Sequence, residues 1–200
     1  MAKQNNSNHL NGKDLMNVGI FTAVYLVIYI ISSCVLGIIP LLSLTMNFFS
    51  SILLGIPVML YFTKIKKFGM ALITYAINGV LMAFLGLGIY SLILGVICGL
   101  IAELILRSGR YQSANCAILA FSIACVGGNG NTLSWIIGGE KVLEQTAASL
   151  GTDYANAVGG YFSHWWVFPI IMLSAFAGGL IGGLLGKAVL KKHFIRSGLV

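Results

Sequence analysis

The chain has 200 residues, 58% of them hydrophobic and only 8% charged, against roughly a quarter charged in soluble domains. Its mean hydropathy is +0.94. So little charge cannot clothe a globule in water, which excludes a cytosolic enzyme and a disordered protein, and continuous apolar runs of about 18 residues or more exclude the alternating segments of an outer-membrane barrel. The composition predicts an all-α integral membrane protein forming a single domain over residues 1–200.

The apolar runs follow in chain order. The first extends from about Val18 to Ile39 and stops at Pro40. The second covers Leu41 to Phe62, with Pro57 inside it, and Lys64, Lys66 and Lys67 close it. The stretch from Phe68 to Leu106 would make a single helix of roughly 58 Å, about twice the hydrocarbon thickness. It is expected to fold back at Gly86-Leu87-Gly88 into two spans, the second ended by Arg107 and Arg110. A fifth span is expected from about Ala114 to Ile137, and a sixth from about Tyr161 to Leu190.

Six transmembrane helices place both termini on one face, and the basic residues then sort. Lys3, Lys13, Lys64, Lys66, Lys67, Arg107, Arg110, Lys187, Lys191, Lys192 and Arg196 fall on that face. Lys141 alone falls on the other, beside Glu140, Glu144 and Asp153. Five or seven spans would scramble the pattern. The positive-inside bias makes both termini cytoplasmic. Residues 1–14 then form a cytoplasmic tail, 138–160 an extracellular loop and 191–200 a second cytoplasmic tail. The net charge of +7 is a signal of topology, and no nucleic-acid partner is expected. Ile31-Ser32-Ser33-Cys34 loosely resembles a lipoprotein cleavage box. The chain stays apolar after Cys34, however, and loss of the first span would invert the tail, so the chain is expected to be unprocessed.

Polar groups inside a membrane need partners. Glu103 and Arg107, four residues apart near the cytoplasmic end of the fourth span, are expected to form an ion pair. Thr74 and Asn78 share a face of the third span and suit interhelical hydrogen bonding. Asn47 lies below the outer end of the second. Gly127-Gly128-Asn129-Gly130-Asn131-Thr132, followed by Trp135, is poor helix. It marks either a break lining a ligand cavity or an early end to the fifth span. Beyond it, Glu140 to Leu150 is expected to form a short interfacial helix. Tyr161-Phe162-Ser163-His164-Trp165-Trp166 is either an aromatic belt or a stacking platform for a flat ligand. The candidate substrate-binding residues are Asn129, Asn131, Trp135, Tyr161, His164 and Trp165.

Chemistry-bearing motifs are few. Cys34, Cys98, Cys116 and Cys125 lack CxxC spacing and suit packing. A lone His164 makes no metal site. There is no P-loop, no HExxH, no GxSxG and no intramembrane carboxylate network. Neither enzyme activity nor a cofactor is expected, and transport would need an outside source of energy.

Small residues mark two helices. Gly19 and Ala23 share one face of the first span, where a partner protein can dock. In the last span Ala175, Gly179 and Gly183 form one track, and Gly178, Gly182 and Gly186 another, both suited to close helix packing.

Six spans without an energy module, with Gly19-Ile20-Phe21-Thr22-Ala23 on the first helix, resemble the substrate-binding S component of energy-coupling factor transporters. There an Ala-x-x-x-Ala motif docks on the transmembrane coupling subunit, and glycine replaces the first alanine here. Lys13-Asp14-Leu15, the glycine-rich last helix and Lys192-His193-Phe194-Ile195-Arg196-Ser197-Gly198 resemble the Trep_Strep subfamily. The resemblance implies an S-component-like bundle in the bacterial plasma membrane. It implies a coupling subunit and two cytoplasmic ATPases as partners, besides membrane lipid, and a small organic micronutrient, vitamin- or cofactor-like, with a tetrapyrrole among the options. The substrate would bind at the outer side, between the loop joining helices one and two and helices four to six. A stand-alone channel or facilitator is the alternative.

Overall fold

The computed structural model describes residues 11–64, 66–87, 89–192 and 195. Lys3, Gly88, His193, Phe194, Arg196, Ser197 and Gly198 lie outside the described residues. Among those described, all regular structure is helical.

Helix α1 (Gly12–Leu36) starts at a capping box. Asn11 Oδ1 accepts from the Asp14 backbone N–H at 2.9 Å, and the Asp14 carboxylate accepts from the Asn11 N–H at 3.0 Å. Asp14 also takes Lys67 Nζ at 2.6 Å, which fastens the start of α1 to the link after α2 (Pro40–Lys64). Pro40 opens α2 where its missing N–H costs nothing.

Helix α3 (Met70–Met82) runs into a π-turn at Ala83–Leu87, and α4 (Tyr90–Ser108) returns beside it. The fifth apolar run is divided into α5 (Ala114–Gly127) and α6 (Gly130–Ile137). The segment 138–160, expected as a loop, is largely helical: α7 (Gly139–Leu150) is followed by α8 (Thr152–Phe162). The last helix, α9, spans Val167–Val189 and does not begin at Tyr161. Ser163 Oγ donates to the Gly160 carbonyl at 2.7 Å, and His164 Nδ1 lies 3.2 Å from the same oxygen. These side chains compete with the helical ladder and turn the chain between α8 and α9.

The segments Gly12–Leu36, Pro40–Lys64, Tyr90–Ser108, Ala114–Ile137 and Val167–Val189 are long and apolar enough to cross a membrane. Met70–Leu85 is apolar but shorter. Large aliphatic side chains such as Ile20, Val27, Ile31 and Val35 face outward, as a lipid-facing helix requires. The protein is an integral membrane protein.

Both glycine tracks of α9 are packing surfaces. A Cβ on Gly178 would lie 2.5 Å from the Phe48 carbonyl oxygen, and one on Gly186 2.6 Å from that of Gly55. Between them Gly182 meets the Ser51 carbonyl on α2. The other track faces α5, where a Cβ on Gly179 would lie 2.6 Å from Ser122 Cα and one on Gly183 3.0 Å from Ile118 Cγ2. Removing side chains lets α9 approach α2 and α5 backbone to backbone.

Basic side chains gather at one end of the bundle. Lys13 opens α1 and Lys64 closes α2 beside the Asp14–Lys67 pair. The Arg107 guanidinium lies over the Phe68 ring at 5.3 Å, and Lys187 Nζ donates to Asn115 Oδ1 at 3.3 Å. Lys141 lies with Glu140, Glu144 and Asp153 on α7 and α8 at the opposite end. There the Tyr154 hydroxyl donates to the Gly37 carbonyl at 2.7 Å.

The expected Glu103–Arg107 pair does not form. Glu103 is fully buried, whereas Arg107 is exposed. The Glu103 carboxylate accepts from the backbone N–H groups of Ala71 at 2.8 Å and Leu72 at 3.3 Å, and from the Tyr111 hydroxyl at 2.7 Å. It neutralises the positive end of α3, which Gly69 leaves without a side-chain cap. Burial and the neighbouring carboxylate raise the Tyr111 hydroxyl above its usual range, so it stays protonated as a donor. That bond also holds a costly link. Arg110 and Tyr111 adopt φ of 50° and 53°, left-handed conformations that non-glycine residues rarely take.

Candidate functional site

The break between α5 and α6 is built by glycine. A Cβ on Gly130 would run into the backbone of Ser91 and Tyr90, including the Tyr90 oxygen at 2.6 Å. One on Gly127 would lie 3.0 Å from Cys98 Cβ. The chain can therefore pass this close to the first turns of α4 only without side chains. Asn129 sits in the gap between the two helices and is fully buried. Its Oδ1 accepts from Asn47 Nδ2, and its own Nδ2 has no partner.

Beneath the break lies a cavity of about 30 Å³, room for a water molecule or two. Tyr25, Tyr29, Tyr75, Asn78, Ser91 and Asn131 supply its functional side chains. Gly79, Gly95, Gly127, Gly128 and Met82 complete the wall. Tyr25 and Tyr29 stack with centroids 6.3 Å apart, and Tyr75 meets Tyr25 edge-on at 5.9 Å. Among the described residues no charged side chain lines the chamber. Asn78, 5% exposed, donates through Nδ2 to the Thr74 carbonyl at 3.0 Å, while its Oδ1 has no partner. Thr74 bonds across helices to the Tyr61 hydroxyl at 2.8 Å.

A second, open cavity of about 380 Å³ lies among α6, α7 and α8, a volume suited to a small molecule. Trp135 and Phe162 stack along it, 5.9 Å apart and 17° from parallel. Glu140, Leu143, Asn156 and Ser163 also line it, and Gly139, Gly159 and Gly160 leave its floor bare. Asn131 and Trp135 stand one turn apart on the same face of α6, so that face runs from chamber to groove.

Asn129, Asn131 and Trp135 thus converge on this end of the bundle, in the break, the chamber and the groove respectively. Tyr161 is half-buried at the end of α8 and lines neither cavity. His164 and Trp165 do not join them. His164 is exposed and leans on Trp166 at 5.7 Å, and Trp165 is 84% exposed. Gly19 and Ala23 are exposed on α1 toward the basic end, and a Cβ on Gly19 would meet nothing within 4 Å. Among the described residues no three His, Cys, Asp or Glu side chains gather closely enough to hold a metal ion.

The tyrosines that line the chamber are residues that hydropathy alone does not single out. A signal for two of them does exist. Thr22, Tyr25, Tyr29 and Ser32 repeat at spacings of three, four and three, which puts every one of these hydroxyls on the buried face of α1.

Comparison with protein families matches residues 12–196 to a family described as hypothetical bacterial integral membrane protein (Trep_Strep). No curated protein and no solved structure matches the chain. The match runs from the first turn of α1 to beyond the end of α9, through the break, both cavities and the glycine-packed last helix. The chain therefore belongs to the Trep_Strep family of bacterial integral membrane proteins.

Proposed function

We propose that this protein is the substrate-binding subunit of an energy-coupling-factor importer in the bacterial plasma membrane. In this reading it captures a small organic micronutrient at the outer face. A transmembrane coupling subunit and two cytoplasmic ATPases then drive its release inside. The chain crosses the membrane six times, with both termini cytoplasmic. The sixth span is α3 with its π-turn, about 27 Å long over Met70–Leu87, close to the hydrocarbon thickness of about 30 Å. The basic end then faces the cytoplasm, as the positive-inside bias requires.

One observation carries the reading: the chamber is one-sided. It lies between the break and the middle of the bundle; a smaller cavity of about 10 Å³ shares Tyr25 and Tyr75 with it and reaches Phe21, Val58, Tyr61 and Thr74, and the turns closest to the basic end are filled by Met70, Ala71, Ala102 and Leu106, each 0–3% exposed. A self-sufficient channel needs a path to both sides. A capture subunit needs a site open to one side and a partner that reorients it. The exposed Gly19/Ala23 face offers that partner close backbone approach.

Affinity purification from the native host in mild detergent tests this. The coupling subunit and both ATPases are expected to co-purify. Gly19→Leu is expected to cut uptake at least tenfold without lowering the melting midpoint, because the new side chain points into open space. A protein that purifies alone, with uptake intact in Gly19→Leu, would overturn the docking role. Solute flux in proteoliposomes lacking ATPases would establish a facilitator instead.

A further inference from the structure

The geometry points to the chamber beneath the α5–α6 break as the binding site for an uncharged, flat molecule that donates an N–H or O–H hydrogen bond to Asn78. The inference rests on the capture reading above and adds the chemical class of the ligand.

Three features of the wall carry it. First, among the described residues the lining has no charged side chain. A charged ligand held here would lose its hydration without a counter-charge, a cost that ordinary hydrogen bonds do not offset. Second, Tyr25, Tyr29 and Tyr75 form a packed aromatic wall that suits a planar ring in offset or edge contact. Third, Asn78 Oδ1 is a buried acceptor without a protein partner. A buried acceptor left unmade is destabilising, so the site retains a group that costs stability in the closed protein. A ligand donor aimed at that oxygen recovers the loss. The space as it stands has the volume of a water molecule or two.

The wall is also built to yield. Gly79, Gly95, Gly127 and Gly128 present backbone rather than side chains, and Met82 is a flexible filler. The π-turn starts at the very next residue, Ala83, an irregularity that helices tend to carry at functional sites. Displacement of α6 about Gly128–Asn129 would open the chamber along the Asn131–Trp135 face into the groove.

The test uses the purified full chain in detergent and three planar probes of closely similar shape: benzamide, benzoate and benzamidinium at equal millimolar concentrations, followed by melting midpoint and calorimetry. Benzamide alone is expected to bind. Asn78→Leu is expected to fold with an unchanged or higher midpoint without probe, and to bind benzamide at least tenfold more weakly. A residue kept for structure would instead lose stability on this change. Should Asn78→Leu not fold, Asn78→Ser serves, with the same tenfold loss expected.

Preference for either charged probe overturns the inference, as does binding of none of the three. Loss of benzamide binding in Trp135→Ala but not in Asn78→Leu would move the site to the groove and also overturn it. Failure here with the coupling subunit still co-purifying removes the chamber chemistry and leaves the capture reading. Loss of co-purification with benzamide binding intact does the reverse.

Discussion

Gly182→Ala is expected to lower the melting midpoint of the detergent-solubilised protein by roughly 2–12 °C, the equivalent of about 1–3 kcal/mol of overpacking. Alanine is the better helix former by up to about 1 kcal/mol, so propensity alone predicts the opposite sign. Sterics decide. The added methyl would meet the Ser51 carbonyl and would lie 3.0 Å from Ile52 Cα, backbone atoms that move only if α2 and α9 separate. Gly55 faces Gly182 across the same contact, so the alternative of sliding the helices is blocked from both sides. Gly160→Ala is the control, since nothing lies within 4 Å of its added Cβ. Equal midpoints for Gly182→Ala and the wild type would show that α2 and α9 do not touch this closely.

Glu103→Ala is expected to cost about 3 kcal/mol, the scale for hydrogen bonds to a buried charge. It strips the Ala71 and Leu72 N–H groups of their acceptor and takes the partner from the half-buried Tyr111 hydroxyl. Glu103→Gln keeps an acceptor but loses the attraction between a carboxylate and a helix N-terminus, and should cost about 1 kcal/mol. Arg107→Ala supplies the contrast. An i,i+4 ion pair would make the two partners' removal cost the same, whereas an exposed arginine resting on Phe68 predicts a small effect. Thermal unfolding of the three variants side by side separates the two arrangements. Arg107→Ala as damaging as Glu103→Ala would restore the ion pair.

That contrast also shows what a sequence can and cannot disclose. The apolar runs and the basic residues between them were legible because hydropathy and charge are additive along a chain. Both glycine tracks of α9 were legible for a similar reason: a repeat of four in a helix can only be a stripe. The Gly127–Asn131 break was legible from weak helix propensity, and the short helix over Glu140–Leu150 from its few apolar positions. Partner choice was not. Glu103 has Arg107 four residues away in sequence, but the nearest free donors are on α3, some thirty residues earlier, and only the fold brings them together. Thr74 and Asn78 mark a polar face of α3, but they do not say which neighbours Tyr75 meets, and its place in the chamber depends on how α3 rotates against α1 and α4. Hydropathy extends the sixth apolar run back to Tyr161 because Tyr, Phe and Trp continue it, while the turn at Ser163 and His164 is made by side chains bonding back to Gly160.

The shortness of the α3–α4 hairpin has a consequence for the lipid around it. At 1.5 Å per residue, α1 and α2 are each about 37 Å long, while α3 with its π-turn and α4 reach only about 27–28 Å. One flank of the protein therefore matches a thick bilayer and the other a thin one. Acyl chains beside the hairpin must compress, or the bundle must lean, and either response stores hydrophobic mismatch on one side only. An asymmetric load of this kind lowers the work of tipping the molecule toward its short flank. On the importer reading proposed above, thickness of the host membrane, varied through acyl-chain length in reconstituted bilayers, becomes a determinant of uptake rate in its own right.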